Sequence, residues 1–380
     1  MKKVTIIVIV LLGVSLHIQG QKANVFAAFQ LIENEKYTDA KKAVDEALED
    51  EKTRDWSRTW YARGLLCQKA YEKGMKNKDQ KLYELYPDQL FLSYESFEKS
   101  LAYKRSARIT DQIEPIYIKL ANDFLVMGEK EYKAKKYEKS LKAYENALKI
   151  NESPILSVEL DTNLVYNTAL AAFKSKQYNT SLAYLERLNE MSYSSNVPHL
   201  LSAVHLALKD TSSAETVLRE GIDHYKTNEE LILVFIDLLY STDKCKEAVA
   251  VLDSAALRSP KKYIFPFTKG LVYQKKEIYE KAIEAYKEAI KVDPEMLSSY
   301  TNIGTCYFNI GVEKEQNARL INDSKSFREE LVKSESAKKE AVSWLEKALE
   351  KDPKNETVKN QLIQLYRSLR MIDKINELTP

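Results

Sequence analysis

One spacing of small and large apolar positions keeps returning along this chain. A small residue is followed by a large one four places on, a small one three after that, and in the best copies a proline five further. Ala282, Tyr286, Ala289 and Pro294 show it most clearly. Ala248, Leu252, Ala255 and Pro260 repeat it 34 residues earlier, and Ala341, Leu345, Ala348 and Pro353 repeat it later. Weaker copies begin at Ala40, Ser93, Ser140, Ser181 and Ala214. Steps of four and three keep these residues on one face of a helix, where the small ones let a neighbouring helix approach closely. The proline has no amide to extend the hydrogen-bond ladder, so it ends that helix and opens the next.

A second helix is predicted upstream of each copy. Twelve residues before the first small residue stands another small one, Gly270, Gly128, Ala169 or Ala28, and Tyr273, nine before Ala282, fills the gap between the two helices. Each unit therefore reads as an antiparallel helix pair, and a period of this size is the mark of a stacked array. Gly270, Tyr273, Ala282, Tyr286, Ala289 and Pro294 together resemble the tetratricopeptide repeat, and Tyr300-Thr301-Asn302-Ile303-Gly304 with Tyr307 resembles the opening of the next one. The resemblance implies an all-α fold, a solenoid in which helix pairs stack into a right-handed superhelix. It implies a single domain over 21–380, with eight repeats beginning near residues 21, 57, 121, 162, 195, 229, 263 and 297.

Two repeats carry insertions. Gly64 lies 17 residues farther from Ser93, and Gly304 lies 25 farther from Ala341, than the usual spacing. The later insertion, Gln316 to Glu340, is predicted to lengthen both helices of the last repeat into a long hairpin over 312–340; the alternative is a surface loop. From Glu356 a further helix, 356–371, turns Val358, Leu362, Ile363, Leu365, Tyr366 and Leu369 inward and Lys359, Arg367 and Arg370 outward. It is expected to cap the open apolar end of the stack. With the insertion around Leu85-Tyr86-Pro87-Asp88, this plan resembles exported tetratricopeptide-repeat proteins of Bacteroidetes-type bacteria.

Composition supports the all-α reading, since 380 residues contain only 9 Gly and 9 Pro, few breaks for long helices joined by short turns. The first residues add an address. Met1-Lys2-Lys3, an apolar run from Val4 to Leu16 and then Ile18-Gln19-Gly20 have the three-part layout of a secretory signal peptide. The run falls short of the ~20 residues a permanent membrane helix needs. A cleaved signal over 1–20 and a periplasmic or secreted location are therefore expected, the alternative being an uncleaved anchor, and a lipid anchor is not expected because the first cysteine is Cys67. The formal charge of +2 drops to zero once Lys2 and Lys3 are gone, which makes no electrostatic case for nucleic acid.

Candidate chemistry is sparse. Glycine-rich phosphate loops, nucleophile elbows and paired metal-binding histidines are absent from the sequence. His199 and His205 are six apart and point to different helix faces, and His224 stands alone. Cys67, Cys245 and Cys306 form no CxxC pair and are expected to be small buried residues. Carboxylates such as Glu129 with Glu131, and Glu329 with Glu330, are flanked by lysines and expected on solvated faces. No catalytic, cofactor-binding or metal-binding residue is assigned, and the chain is expected not to be an enzyme.

Binding is the remaining possibility. The resemblance implies a groove lined by the first helix of each pair, with the second, fifth, ninth and twelfth positions facing it. At such positions stand Phe29, Tyr61, Tyr132, Tyr166, Phe173, Tyr240, Phe267 and Phe308. Aromatics bury much area at low entropic cost and recur as binding hot spots, although the same spacing also serves packing between repeats. Relatives that clamp a chaperone's C-terminal carboxylate use Lys and Asn on one first helix, Asn on the next, and Lys and Arg on a third. Asn302 matches the middle position, but Phe267 and Leu271 precede it and Thr357 and Gln361 follow it, so that clamp is not expected. The function expected is a non-catalytic scaffold in the cell envelope that binds a protein or peptide partner in its groove or on the 312–340 hairpin; the alternative is a chaperone-like holdase for unfolded clients.

Overall fold

A computed structural model describes residues 22–103, 107–156 and 158–378. The expected signal peptide, 1–20, lies outside them. Among the described residues every regular element is a helix, and the chain divides into two compact units, Met1–Tyr193 and Ser194–Pro380.

In the first unit the helices are α1 (22–33), α2 (Tyr37–Glu49), α3 (Ser57–Asn77), the short α4 (Gln80–Tyr83), α5 (Gln89–Ala102), α6 (Ala107–Lys133), α7 (Tyr137–Asn151), α8 (Thr162–Lys174) and α9 (Tyr178–Glu190). The second unit holds α10 (Asn196–Ala207), α11 (Thr211–His224), α12 (Glu229–Ser241), α13 (Cys245–Arg258), α14 (Ile264–Lys275), α15 (Tyr279–Val292), α16 (Leu297–Ala318), α17 (Ser324–Lys351), α18 (Glu356–Ser368) and α19 (Ile372–Leu378). Within each unit, successive helices pack as pairs, and each pair packs on the next.

The small residues of the repeated pattern form the seam of every pair. Ala40, Ser93, Ser140, Ser181, Ala214, Ala248, Ala282 and Ala341 are all 0% exposed. Where the seam residue is serine, its hydroxyl donates to the carbonyl of the small residue on the first helix: Ser93 to Gly64, Ser140 to Gly128 and Ser181 to Ala169, each at 2.8 Å. The large residue four places on then lies over that same small residue. A Cβ on Gly64 would meet the ring of Phe97, one on Gly128 the ring of Tyr144, one on Gly270 the ring of Tyr286, and one on Gly304 the side chain of Leu345. Glycine is required there because the neighbouring ring takes the space.

The turns inside the pairs share one construction. Glu35, Lys135, Lys176, Lys209, Asp243, Glu277 and Arg370 all adopt left-handed backbone. The next amide reaches back to the last helical turn, as in Lys136 N–H to the Glu131 carbonyl at 2.9 Å and Lys244 N–H to Leu239 at 2.8 Å. Such a closure satisfies carbonyls the helix end leaves free and offsets the strain of a non-glycine residue with positive φ.

Four elements differ from or extend what the sequence predicts. α6 begins at Ala107, well before residue 121, because Ile113, Tyr117 and Leu120, all 0% exposed, continue its inward stripe upstream. The long hairpin of the last repeat is present as α16 and α17. It renews the seam beyond the standard pair, with the Ser334 hydroxyl donating to the Gly311 carbonyl at 2.7 Å and Ala318 fully buried. The capping helix α18 is followed by α19, and Leu369, Met371, Ile375 and Leu378 pack against the cluster of Val358, Leu362 and Tyr366, so a pair closes the end. The earlier insertion folds back instead of projecting: Tyr86 is buried, donates to Asp45 at 2.6 Å and lies under Lys41. No helix among the described residues is long and apolar enough to cross a membrane.

Candidate functional site

The first helices of the second unit bring two clefts to the surface. One lies between α10 and α12, encloses about 720 Å³, and is lined by His199, Ala203, Leu206, Leu233, Val234 and Asp237 with Glu229 and Glu230 at one end. Counted from starts near 195 and 229, His199, Ala203, Leu206, Glu230, Leu233 and Asp237 occupy the fifth, ninth and twelfth positions of one first helix and the second, fifth and ninth of the next. The apolar part is open, with Leu206 43% exposed. His199 Nδ1 sits 3.4 Å from Glu230 Oε1 across the cleft, and Lys262 pairs with Glu229 at 3.0 Å. Asp237 is exposed and has no cation partner among the described residues.

The second cleft is smaller, about 220 Å³, and lies where α16, α17 and α18 meet. Phe308, Leu345 and Leu365 form its floor, and Thr305, Asn309, Gln361 and Gln364 supply polar groups. The Gln361 Oε1 is buried and accepts no hydrogen bond. Amide side chains over an apolar floor suit a peptide backbone, which offers both a donor and an acceptor.

All eight candidate aromatics are half-buried. Phe29 and Tyr61 stack on each other at 5.8 Å, and Tyr61 meets Phe97 edge-on. Tyr132 packs on Tyr137, Tyr166 on Tyr193, Phe173 on Tyr178 and Phe267 on Tyr286. Tyr240 lies under Lys275 at 4.6 Å, and Phe308 alone of the eight lines one of the two clefts above. Six of the eight rings are therefore engaged with another ring of the protein. Burial raises the hydroxyl pKa of Tyr61 and Tyr132 above the usual phenol range.

The α10–α12 residues were within reach of the same positional counting, but weighting aromatics passed over leucines, a histidine and carboxylates at equivalent positions. Glu131 corrects another expectation: it is 6% exposed, not solvated, and its Oε2 lacks a hydrogen bond. It stands four residues after Met127 and seven after Phe124, both buried, which puts it on the inward face of α6. Lys136 and Lys139 approach its carboxylate to 3.9 Å.

Cys67 and Cys306 are buried, and burial pushes both thiols up to about 12, so neither forms a thiolate near neutrality. Cys245 differs from expectation. As the first residue of α13 it is only half-buried. Among the described residues no group of three His, Cys, Asp or Glu side chains is placed to hold a metal ion.

The family profile described as tetratricopeptide repeat matches residues 267–296, which take in most of α14, all of α15 and the turn that follows. No curated protein matches the chain. Among solved structures, MamA is 19% identical, with the match covering 53% of this chain and 99% of MamA at a TM-score of 0.35. YrrB, described as a TPR protein with an unusual peptide-binding site, is 19% identical over 50% of this chain and 94% of its own, with a TM-score of 0.34. A TPR repeats protein from Bacteroides fragilis NCTC 9343 is 21% identical over 65% of this chain and 98% of its own, with a TM-score of 0.35. Superpositions at this level leave the geometry of the clefts themselves as the ground for a functional reading.

Proposed function

Since this chain is a tetratricopeptide-repeat protein, we propose that it is a non-catalytic scaffold that holds a segment of another protein against its first helices, working in the cell envelope after export. The α10–α12 cleft carries the reading. Leu206, Leu233 and Val234 offer an apolar seat, while Glu230 and the unpaired Asp237 put negative charge at its rim. A segment that carries an apolar side chain beside a Lys or Arg satisfies both features. The mixed lining favours a selective scaffold over a holdase, because a holdase gains most from broad apolar surface and little from fixed charges. The three-part leader, Lys2-Lys3 followed by the Val4 to Leu16 run, supports export.

The test is a double variant, Leu206→Asp with Leu233→Asp, compared with wild type by quantitative affinity purification from the native cells. The scaffold reading expects one or a few proteins to leave the eluate while helical circular dichroism and melting stay unchanged. Eluates identical to wild type contradict it. Suppression of aggregation of several unrelated unfolded proteins, lost in the same variant, assigns the surface to a holdase instead.

A further inference from the structure

A hollow of about 530 Å³ lies in the first unit at the turns of two successive pairs, α6–α7 and α8–α9. It is lined by Lys135, Lys136, Lys139, Lys174 and Lys176 with Tyr137, Ser175 and a single carboxylate, Glu138. Over the whole chain acidic and basic residues nearly balance, with a sum of only +2. Here the balance fails. Lys136 and Lys139 share one buried carboxylate, Glu131, at 3.9 Å. Lys135, Lys174 and Lys176 form no ion pair among the described residues.

Glu35 and Asp243 hold the same left-handed turn position as Lys135. Each is bonded to a lysine of the next pair, Glu35 to Lys73 at 2.6 Å and Asp243 to Lys276. Lys135, Lys176 and Lys209 instead place a cation at this turn position, and the hollow gathers the first two of them with Lys174. The hollow also takes in the start of α7, whose first amides have no side-chain cap and add partial positive charge. Like charges gathered in this way oppose one another in the free protein, and an external anion relieves them.

We propose that this hollow is a docking site for an acidic segment of a partner protein, a short run of Asp or Glu side chains, separate from the first-helix clefts. Its concave lining and its lack of an aliphatic side chain to insert fit a chain segment better than a lipid surface. Its confinement to two turns gives no continuing basic track of the kind a nucleic acid follows.

The probe is a fluorescein-labelled octaglutamate peptide, titrated by anisotropy against the full chain. Binding is expected to weaken at least about tenfold between 50 and 300 mM salt, as screening of exposed charges requires. The variant Lys135→Gln, Lys174→Gln, Lys176→Gln is expected to lose about tenfold in affinity at low salt. A control of equal charge change, Lys42→Gln, Lys226→Gln, Lys291→Gln, is expected to lose less than about twofold, because contact pairs matter more than net charge. Circular dichroism confirms folding of both variants. No binding of the peptide, or equal losses in the two variants, overturns the proposal. So does lysine-dependent binding of phosphatidylglycerol vesicles or of a single-stranded oligonucleotide without binding of the peptide.

Discussion

The ring of Tyr286 lies over Gly270 so closely that a Cβ at that glycine would stand 2.5 Å from the ring's Cε1. Two tendencies oppose each other at this contact. Alanine is favoured over glycine inside a helix by about 1 kcal/mol, whereas overfilling a packed seam costs about 1–3 kcal/mol. Tyr286 is 0% exposed and its hydroxyl is bonded to Gln274, so the ring has little freedom to withdraw. Gly270→Ala is therefore expected to destabilise by up to about 2 kcal/mol, read from chemical denaturation. Adding Tyr286→Leu is expected to recover part of the loss. A stabilised Gly270→Ala protein contradicts the packing described.

The serine seams make a milder prediction. Ser140→Ala removes one buried hydroxyl that donates to Gly128 at 2.8 Å, and alanine already serves at the equivalent positions 248, 282 and 341. The loss is expected to be about 1 kcal/mol or less. Ser140→Val replaces the hydroxyl with a methyl and forces a second methyl into a closed seam, and is expected to cost more, about 2–3 kcal/mol. Equal stability of the two variants in urea denaturation contradicts the close approach of α6 and α7.

Asp123 should make the first unit respond to pH. Burial, with the Glu72 carboxylate adding to it, raises Asp123 from its ordinary 3.8 to about 6. A carboxyl whose folded pKa is raised binds its proton more tightly in the native state. Its contribution is fully favourable below pH 4 and is lost as pH rises through about 6. Asp123→Asn is accordingly expected to stabilise the unit at pH 7.5, by about 1–2 kcal/mol after allowance for solvent screening, and to change little at pH 4. Denaturation curves of the two proteins at both pH values check the sign. An Asn variant less stable at pH 7.5 than at pH 4, relative to wild type, contradicts it.

Thiol reactivity should separate the cysteines. Cys67 and Cys306 are buried and held up to about 12, while Cys245 opens α13 half-exposed. A maleimide added to the native protein at pH 7 is expected to label Cys245 alone within minutes, and all three after unfolding. Rapid labelling of Cys67 in the native protein contradicts its place between α3 and its neighbours.

Much of this architecture was legible because one steric demand repeats. Close helix approach admits only small residues at the seam, so Ala282 and its counterparts mark the eight helix pairs that precede the closing pair α18–α19. Other features carry no such signature. Gly311 and Ser334 make the same contact in the extended hairpin, but no second copy at the usual period announces them. The upstream part of α6 reads from Ile113, Tyr117 and Leu120, large apolar residues that mark no repeat boundary. Glu131 looked solvated because its neighbours in sequence are lysines, whereas its burial follows from Phe124 and Met127 on the same helix face. At the candidate site, aromatic residue type pointed mainly to rings shared with packing. The open cleft was set by position, through Leu206 and Leu233 on successive first helices.

The scaffold reading is tested most directly by photocrosslinking in the native cells, with a benzophenone amino acid placed in turn at Leu206, Leu233 and, on the opposite helix of a pair, Leu257, which is 84% exposed. The expected result is one discrete protein adduct from positions 206 and 233 and none from 257. Adducts from 257 alone, or a diffuse smear of equal intensity from all three positions, contradict a partner held against the first helices.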